Sequence, residues 1–267
     1  MYEYEYRRAG TLEEAAALLA EVEDSRPLAG GMSLVPAMKH RLARPARLVD
    51  LNAVPGLAFV ERTGSELVIG AMTRHEDVAL SPEAKAAIPA LAVLAGGIGD
   101  VQVRHRGTIG GSISNNDPGA CYPSAVLGLG ATVHTTRREI PGDAFFTGMF
   151  ETALEPGEIV TKVAFPIPDA AAYVKFHNLA SRFSIVGIFL ARFGRRVRVA
   201  VTGAGPCVFR ASELEARLSD DFSPAAVEDV SFPPDNLTSD LHGSAAYRAH
   251  LIPVLTARAV QQCLEAG

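Results

Sequence analysis

Six glycines crowd into the sixteen positions from Gly96 to Gly111, and this density constrains the fold more than any other feature of the chain. A glycine inside a helix costs roughly 0.5–1 kcal/mol relative to alanine, whereas in a turn it opens backbone conformations closed to other residues. The segment is therefore expected to be looped. It ends in Thr108-Ile109-Gly110-Gly111-Ser112, and a second glycine pair lies upstream in Ala29-Gly30-Gly31-Met32-Ser33, after an expected strand. Paired glycines let a backbone come close to an anion, and consecutive N–H groups in such turns form a concave nest for phosphate. Ser33, Thr108 and Ser112 add hydroxyl donors. A donor to a charged group contributes roughly 1.5–3 kcal/mol net, so two such loops meeting in space could hold a diphosphate with no lysine. Either loop alone more often describes a tight turn. Neither fits the dinucleotide fingerprint GxGxxG; Gly203-Ala204-Gly205 comes closest but runs into Pro206 and Cys207. No GxxxxGK[ST] phosphate loop occurs either.

The 267 residues exceed the usual single-domain size, so two domains, or one with subdomains, are expected. With 48% hydrophobic and 21% charged residues, a net charge of −5 and no basic stripe, nucleic acid is not an expected partner. The short clusters at Arg104 and Arg106, and at Arg195, Arg196 and Arg198, read as solvated faces. The first ten residues carry charges where a signal peptide needs an apolar core, and no apolar run is long enough to span a bilayer. Cys121, Cys207 and Cys263 lie far apart and form no CxxC pair, which argues against a disulfide framework and a cysteine-ligated metal or cluster. A cytoplasmic protein is expected. The seven histidines show neither HExxH nor any compact metal spacing, so no metal site is expected.

Along the chain, Tyr2, Tyr4 and Tyr6 alternate with charges as in a half-buried strand, and Thr11 with Glu14 opens a helix through a capping box. Strands are expected before Gly30 and over Arg47–Leu51, giving a small α/β unit over the first ~55 residues. Leu57–Glu61 and Glu66–Gly70 flank Thr63-Gly64-Ser65 as a hairpin. Thr73 with Glu76 repeats the capping-box pattern, and Ser81-Pro82 opens a helix expected to reach about Ala95. Strands follow near Ala131–Thr136 and Ile159–Phe165, and Pro166, Pro168 and Asp169 mark a boundary. Three more strands are expected over Tyr173–Leu179, Ile185–Phe193 and Val197–Thr202. Helices opened by serine are expected at Ser212–Leu218 and Ser223–Val230, and a last one from Ser244 to Glu265, kinked or broken at Pro253.

Three blocks carry a resemblance to a known family. Ala29 to Lys39, continuing through Arg41–Pro45 to Leu48–Asn52, is similar to the first flavin loop of the FAD-binding medium subunits of molybdenum hydroxylases, the carbon monoxide and xanthine dehydrogenase group. Ile98–Arg104, Arg106–Gly111 and Asn116–Pro118 resemble their second loop, and Lys175-Phe176 with Ala180–Val186 resembles the start of their C-terminal domain. The blocks run nearly end to end in the family's order. The resemblance implies an α+β fold: a two-subdomain FAD-binding domain of the PCMH, vanillyl-alcohol-oxidase-like type over 1–170, with subdomains of about 1–55 and 56–170. A C-terminal flavoprotein domain over 171–267 would hold a three-stranded antiparallel sheet plus helices.

By the same resemblance the cofactor is FAD. Its diphosphate would be held by Ala29, Gly30, Gly31, Met32, Ser33 and Leu34 in the first loop and by Thr108, Ile109, Gly110, Gly111 and Ser112 in the second. Asp117 falls at a position close to the flavin and ribityl chain, Ile159 and Lys175 at positions lining the cofactor site, and Phe183 where an aromatic often stands beside the isoalloxazine. Many relatives carry a second acidic residue four places after Asp117; here Cys121 stands there, so a carboxylate contact to the flavin is missing or replaced. No catalytic residue is implied in this chain. The implied partners are a large molybdopterin-binding subunit and a small [2Fe–2S] subunit, assembled as a dimer of heterotrimers. Electrons would pass from the clusters to the FAD and on to an external acceptor, whether quinone, NAD or oxygen. Two rivals stand beside this reading: a self-contained FAD-dependent oxidase or reductase, and an assembly subunit that has lost FAD. Gly110→Val is expected to abolish FAD retention by blocking the close approach of backbone to phosphate.

Overall fold

Three main sheets and a small two-stranded ribbon succeed one another along the chain in the computed structural model, which describes residues 1–266. The first contains β1 (Glu5–Arg8), α1 (Leu12–Glu21), β2 (Ser25–Leu28), α2 (Leu34–Lys39) and β3 (Arg47–Asp50). Its strands are parallel in the order β1-β3-β2. Parallel neighbours need a crossover, and α1 and α2 lie between the strands they join. Thr11 caps α1 by accepting from Glu14 N–H at 3.1 Å, while the Glu14 carboxylate reaches back to Gly10 N–H at 2.7 Å. Central β3 is buried along its length, whereas β1 is an edge strand with all its residues exposed. The tyrosine alternation therefore does not produce a half-buried strand, and Tyr2 and Tyr4 precede the strand altogether.

In the second region, β4 (Val60–Thr63) and β5 (Glu66–Gly70) form the expected hairpin. They join β6 (Thr132–Thr135), β7 (Glu139–Pro141) and β10 (Val160–Pro166) in an antiparallel sheet ordered β4-β5-β10-β6-β7. Helices α3 (His75–Leu80), α4 (Pro82–Ala87), α5 (Pro89–Gly96), α6 (Val101–Arg104), α7 (Ile109–Asn115) and α8 (Tyr122–Leu129) lie between β5 and β6. A short α9 (Gly142–Phe145) and the ribbon β8 (Phe146–Gly148) and β9 (Glu151–Thr152) precede β10. Three expectations fail here for local reasons. Thr73 caps no helix; its hydroxyl bonds both the N–H and the carbonyl of Phe59 at 2.9 Å, and α3 starts two residues later. The helix opened by Ser81 breaks at Ile88, because the residue before a proline is pushed out of helical conformation and Pro89 follows. The glycine-rich segment is not all loop: Asp100 caps α6 and Thr108 caps α7, whose first turn contains Gly110 and Gly111.

The third region holds the long antiparallel strands β11 (Ala170–His177), β12 (Ser184–Phe193) and β13 (Arg196–Thr202), with a two-residue β14 (Phe209–Arg210) at one edge. Eight successive residues of β12, Ser184–Ala191, are buried. Phe189 and Ala191 face the core of the second region, while Val186, Ile188 and Leu190 face the core built with α10 (Ser212–Asp220) and α11 (Ala245–Ala266). A strand covered on both faces is apolar without alternation, as its sequence is. The tie to the second region is polar as well as apolar. Buried Arg198 on β13 donates to the Leu127 carbonyl at the end of α8 (2.9 and 2.7 Å) and to Asp143 (2.7 Å). Ser212 is the first residue of α10 rather than its cap, and the helix expected after Ser223 shrinks to a 3₁₀ turn over Pro224–Val227. Helix α11 runs through Pro253 without breaking. The lost hydrogen bond there is offset by burial of Ile252 and Leu255 against the sheet. No helix among the described residues is long and apolar enough to cross a membrane.

Candidate functional site

The first glycine loop leaves β2 at Leu28 and enters α2 at Leu34. Gly31 takes φ +75°, the left-handed conformation that favours glycine. The loop's carbonyls are used inside α2, with Val35 N–H donating to Gly31 and Ala37 N–H to Ser33. Its donors are not. Among the described residues none accepts a hydrogen bond from the backbone N–H of Gly30, Gly31, Met32, Ser33 or Leu34, and the Ser33 hydroxyl caps nothing. Backbone donors must find partners, so this half-exposed loop presents a row of N–H groups to water or to an anion.

The second loop is built the opposite way. Ile109 N–H donates to Thr73 O (3.1 Å), Gly110 N–H to Ala71 O (2.9 Å), Gly111 N–H to Thr108 Oγ1 (3.1 Å) and Ser112 N–H to Thr108 O (3.0 Å). Ile109 and Gly110 are buried. A Cβ on Gly110 would stand 2.6 Å from Ala71 Cβ and 2.7 Å from its carbonyl oxygen. This glycine therefore serves the docking of α7 on the turn that follows β5. What the second loop offers outward is the exposed Gly111 and the half-buried Ser112 hydroxyl.

The two loops meet. A Cβ on Gly30 would collide with the Arg106 carbonyl and lie 2.8 Å from Gly107 Cα, and one on Gly111 would lie 3.7 Å from Ala29 Cβ. Behind them the His75 ring fills the space beside Gly107, with Nε2 2.5 Å from where a Cβ would be, and His75 N–H donates to Gly107 O at 3.0 Å. Burial, aided by the Arg104 guanidinium, lowers the His75 pKa to about 4, so this ring is neutral at pH 7. Exposed Arg74 and Arg106 flank the junction and add positive potential.

From this junction α7 runs about 10 Å, at 1.5 Å per residue, to Asn116, which takes φ 43° and anchors its side-chain amide on the Gly148 and Glu151 carbonyls at 2.7 and 2.8 Å. Asp117 follows, half-buried, accepting from Gly119 N–H at 2.8 Å; burial pushes its carboxyl above the usual range, partly offset by that donor. The half-exposed Phe183 ring covers Gly119, within 3.1 Å of where a Cβ would stand. Beside it Lys175 Nζ donates to Gly97 O (2.7 Å), Arg182 O (3.0 Å) and Cys121 Sγ (3.5 Å). The structure thus brings the two loops together at the start of α7, and Asp117, Phe183 and Lys175 near one another beyond its end. Ile159 lies elsewhere, buried in the core cluster with Leu18, Val49 and Leu51.

Gly97 and Gly119 at this site, and the buried Tyr173 and Ser184 beneath it, were not singled out by sequence, because their role depends on distant partners. Tyr173 and Ser184 share a hydroxyl contact at 3.3 Å beside Cys121. Two concavities, about 380 Å³ beside Leu127, Asp143 and Arg210 and about 390 Å³ beside Ala79, Leu80 and Val93, include no residue of either glycine loop. The fit to a diphosphate-bearing cofactor rests on the unengaged donors of the first loop, which form the cradle such a group needs. Among the described residues no three His, Cys, Asp or Glu side chains are grouped to hold a metal.

Comparison with known proteins places these features. Residues 2–168 match the family described as the FAD binding domain in molybdopterin dehydrogenase. The chain is 33% identical to the glyceraldehyde dehydrogenase medium chain of Sulfolobus acidocaldarius, over 97% of this chain and 98% of that one. It is 34% identical to the carbon monoxide dehydrogenase medium chain of Hydrogenophaga pseudoflava, over 96% of each. A chain of the reconstituted CO dehydrogenase from Oligotropha carboxidovorans superposes with a TM-score of 0.89 at 31% identity, over 100% of this chain and 99% of that one.

Proposed function

Because the chain belongs to the family of FAD-binding domains in molybdopterin dehydrogenases, we propose that it passes electrons from a [2Fe–2S] partner through FAD to an external acceptor. It is an oxidoreductase component of the medium-chain type, with FAD as its cofactor. The observation that carries the finer reading is the row of unengaged N–H groups from Gly30 to Leu34, next to the second loop.

Bound FAD supplies the redox chemistry, and the chain supplies binding, orientation and electrostatics. In this reading the first loop's donors receive the diphosphate oxygens, and Ser112 adds a hydroxyl. Arg74 and Arg106 attract the anion without sitting under it. The second loop holds the first in place: its own donors are engaged, and Gly107 and Gly110 let it press against His75 and Ala71. Asp117, Phe183 and Lys175, at the far end of α7, face the ribityl and ring portion. Phe183 shields one side of that surface, and Asp117 is placed to accept from a ribityl hydroxyl.

A large molybdopterin-binding subunit and a small [2Fe–2S] subunit complete the assembly, as a dimer of heterotrimers. Medium chains from a glyceraldehyde dehydrogenase and a carbon monoxide dehydrogenase are alike in matching this one, so substrate choice belongs to the large subunit. The three cysteines are free, as suits a reducing compartment, which supports reading the complex as cytoplasmic.

The test uses the chain alone and co-purified with its neighbours under anaerobic conditions. FAD should be released on denaturation of either sample, and the flavin bands should bleach when the reduced [2Fe–2S] subunit is added. A flavin that stays oxidised in contact with reduced clusters, yet is reduced by small organic donors acting on this chain alone, would show a self-contained flavoenzyme instead.

A further inference from the structure

Behind Phe183 the structure holds a cation that no carboxylate compensates. The three N–H donors of the Lys175 ammonium are taken up by Gly97 O, Arg182 O and Cys121 Sγ. No carboxylate among the described residues pairs with it. The three acceptors come from separate segments: the glycine-rich stretch after α5, the connection between β11 and β12, and the residue that opens α8. The charge is therefore fixed in place. On its inner side the charge meets buried groups, with Cys121 5%, Ser184 5% and Tyr173 7% exposed, while Gly97 is half-buried and Arg182 exposed, so it is screened less than a fully exposed lysine. Position 121 decides the balance. A carboxylate there would touch the ammonium and cancel most of its field, whereas a thiol brings no obligatory negative charge.

Lys175 and Cys121 stand at the end of α7 remote from the anion nest, where the ring portion of a cofactor held by its diphosphate would come to lie. Electrons added to that ring build negative charge, and a fixed neighbouring cation stabilises the reduced state more than the oxidised one. We propose that Lys175, left uncompensated by Cys121, is a positioning residue that raises the reduction potential of the bound FAD, and that residue 121 sets the size of the effect. This inference rests on the FAD reading above.

The test is spectroelectrochemical titration of the full chain reconstituted with FAD, with the oxidised cofactor's dissociation constant measured in parallel. In Cys121→Asp the affinity for reduced relative to oxidised FAD should fall about tenfold, a drop of about 30 mV for a two-electron couple. Cys121→Asn, of the same shape without the charge, should leave the potential unmoved. Lys175→Gln should lower it in the same direction as Cys121→Asp. Equal shifts in the Asp and Asn variants, or no shift in either, would overturn the proposal. If Cys121→Asp does not retain FAD, Lys175→Gln decides alone: a lowered potential supports the proposal and an unchanged one overturns it. A wild-type chain that binds no FAD would overturn the flavin reading itself, and this inference with it.

Discussion

The two glycine loops look alike in sequence and are built to opposite ends. Each pairs two glycines with a nearby serine, the first just before a short helix and the second in the first turn of one. The first leaves its backbone N–H groups without protein partners from Gly30 to Leu34; the second engages every one from Ile109 to Ser112. In the first, Gly31 supplies a left-handed turn that fans donors outward. In the second, Gly110 removes a side chain so that α7 can seat on Ala71. One loop is a receptor and the other a wall. The same dipeptide thus serves an anion in one place and packing in the other, and only the hydrogen-bond partners tell them apart.

Gly110→Val should have the largest effect. Its side chain would meet the backbone and Cβ of Ala71, and overpacking against groups that cannot yield costs about 3 kcal/mol or more. Thermal unfolding of the FAD-free variant checks this, because the loss should appear without cofactor. A normal FAD-free melting temperature with FAD binding lost would return Gly110 to a ligand-facing role.

Acid comes next. His75, which backs the second loop, titrates at about 4 when folded, against its ordinary value of 6.5. Between these values the unfolded chain binds the proton and the folded chain does not, so stability falls as pH drops from 6.5 to 4, by up to about 3 kcal/mol. Denaturant midpoints across that window should fall in the wild type and flatten in His75→Gln. Glu158, lowered to about 2 by Arg138, Glu155 N–H and Thr135 against the opposing effect of burial, adds a separate loss. That one begins only as pH falls through 4.5 toward 2.

Gly31→Ala should separate binding from folding. The alanine is strained by about 1 kcal/mol at a positive φ, and its Cβ would meet only side-chain atoms, Val35 Cγ2 at 3.1 Å and Leu28 Cδ1 at 3.3 Å. The fold should persist while FAD binds about tenfold more weakly, the equivalent of about 1.4 kcal/mol. Isothermal titration with FAD reads this directly. Gly111→Ala should do least. Its Cβ would meet Thr108 Oγ1 at 3.0 Å, and alanine's better helix propensity offsets that crowding. FAD affinity should stay within about twofold of wild type, as for an ordinary surface substitution.

Elements whose signal is local were legible in the sequence. The hairpin around Gly64, the α1 cap at Thr11 and the doubly buried β12 each follow from a few adjacent residues. What failed depended on partners far along the chain. Thr73 has a helix-capping pattern, but the Phe59 backbone claims its hydroxyl. Tyr6 alternates like a strand facing a core, yet β1 ended at the edge of its sheet. The glycine density between Gly96 and Gly111 promised loop, and α6 and α7 form there because Asp100 and Thr108 cap them. At the candidate site the loops were visible as motifs, but their difference was not. Thr108, within the motif, engages Gly111 and Ser112 N–H, but Ile109 and Gly110 N–H are engaged by Thr73 and Ala71, more than thirty residues upstream.

Amide hydrogen exchange with and without FAD, resolved at residues 29–36 and 108–113, is the most direct test. The account predicts strong new protection at Gly30–Leu34 on FAD addition, and slow exchange at Ile109–Ser112 that scarcely changes. Unaltered exchange at Gly30–Leu34 in the FAD-bound protein, with new protection confined to the second loop, would contradict it.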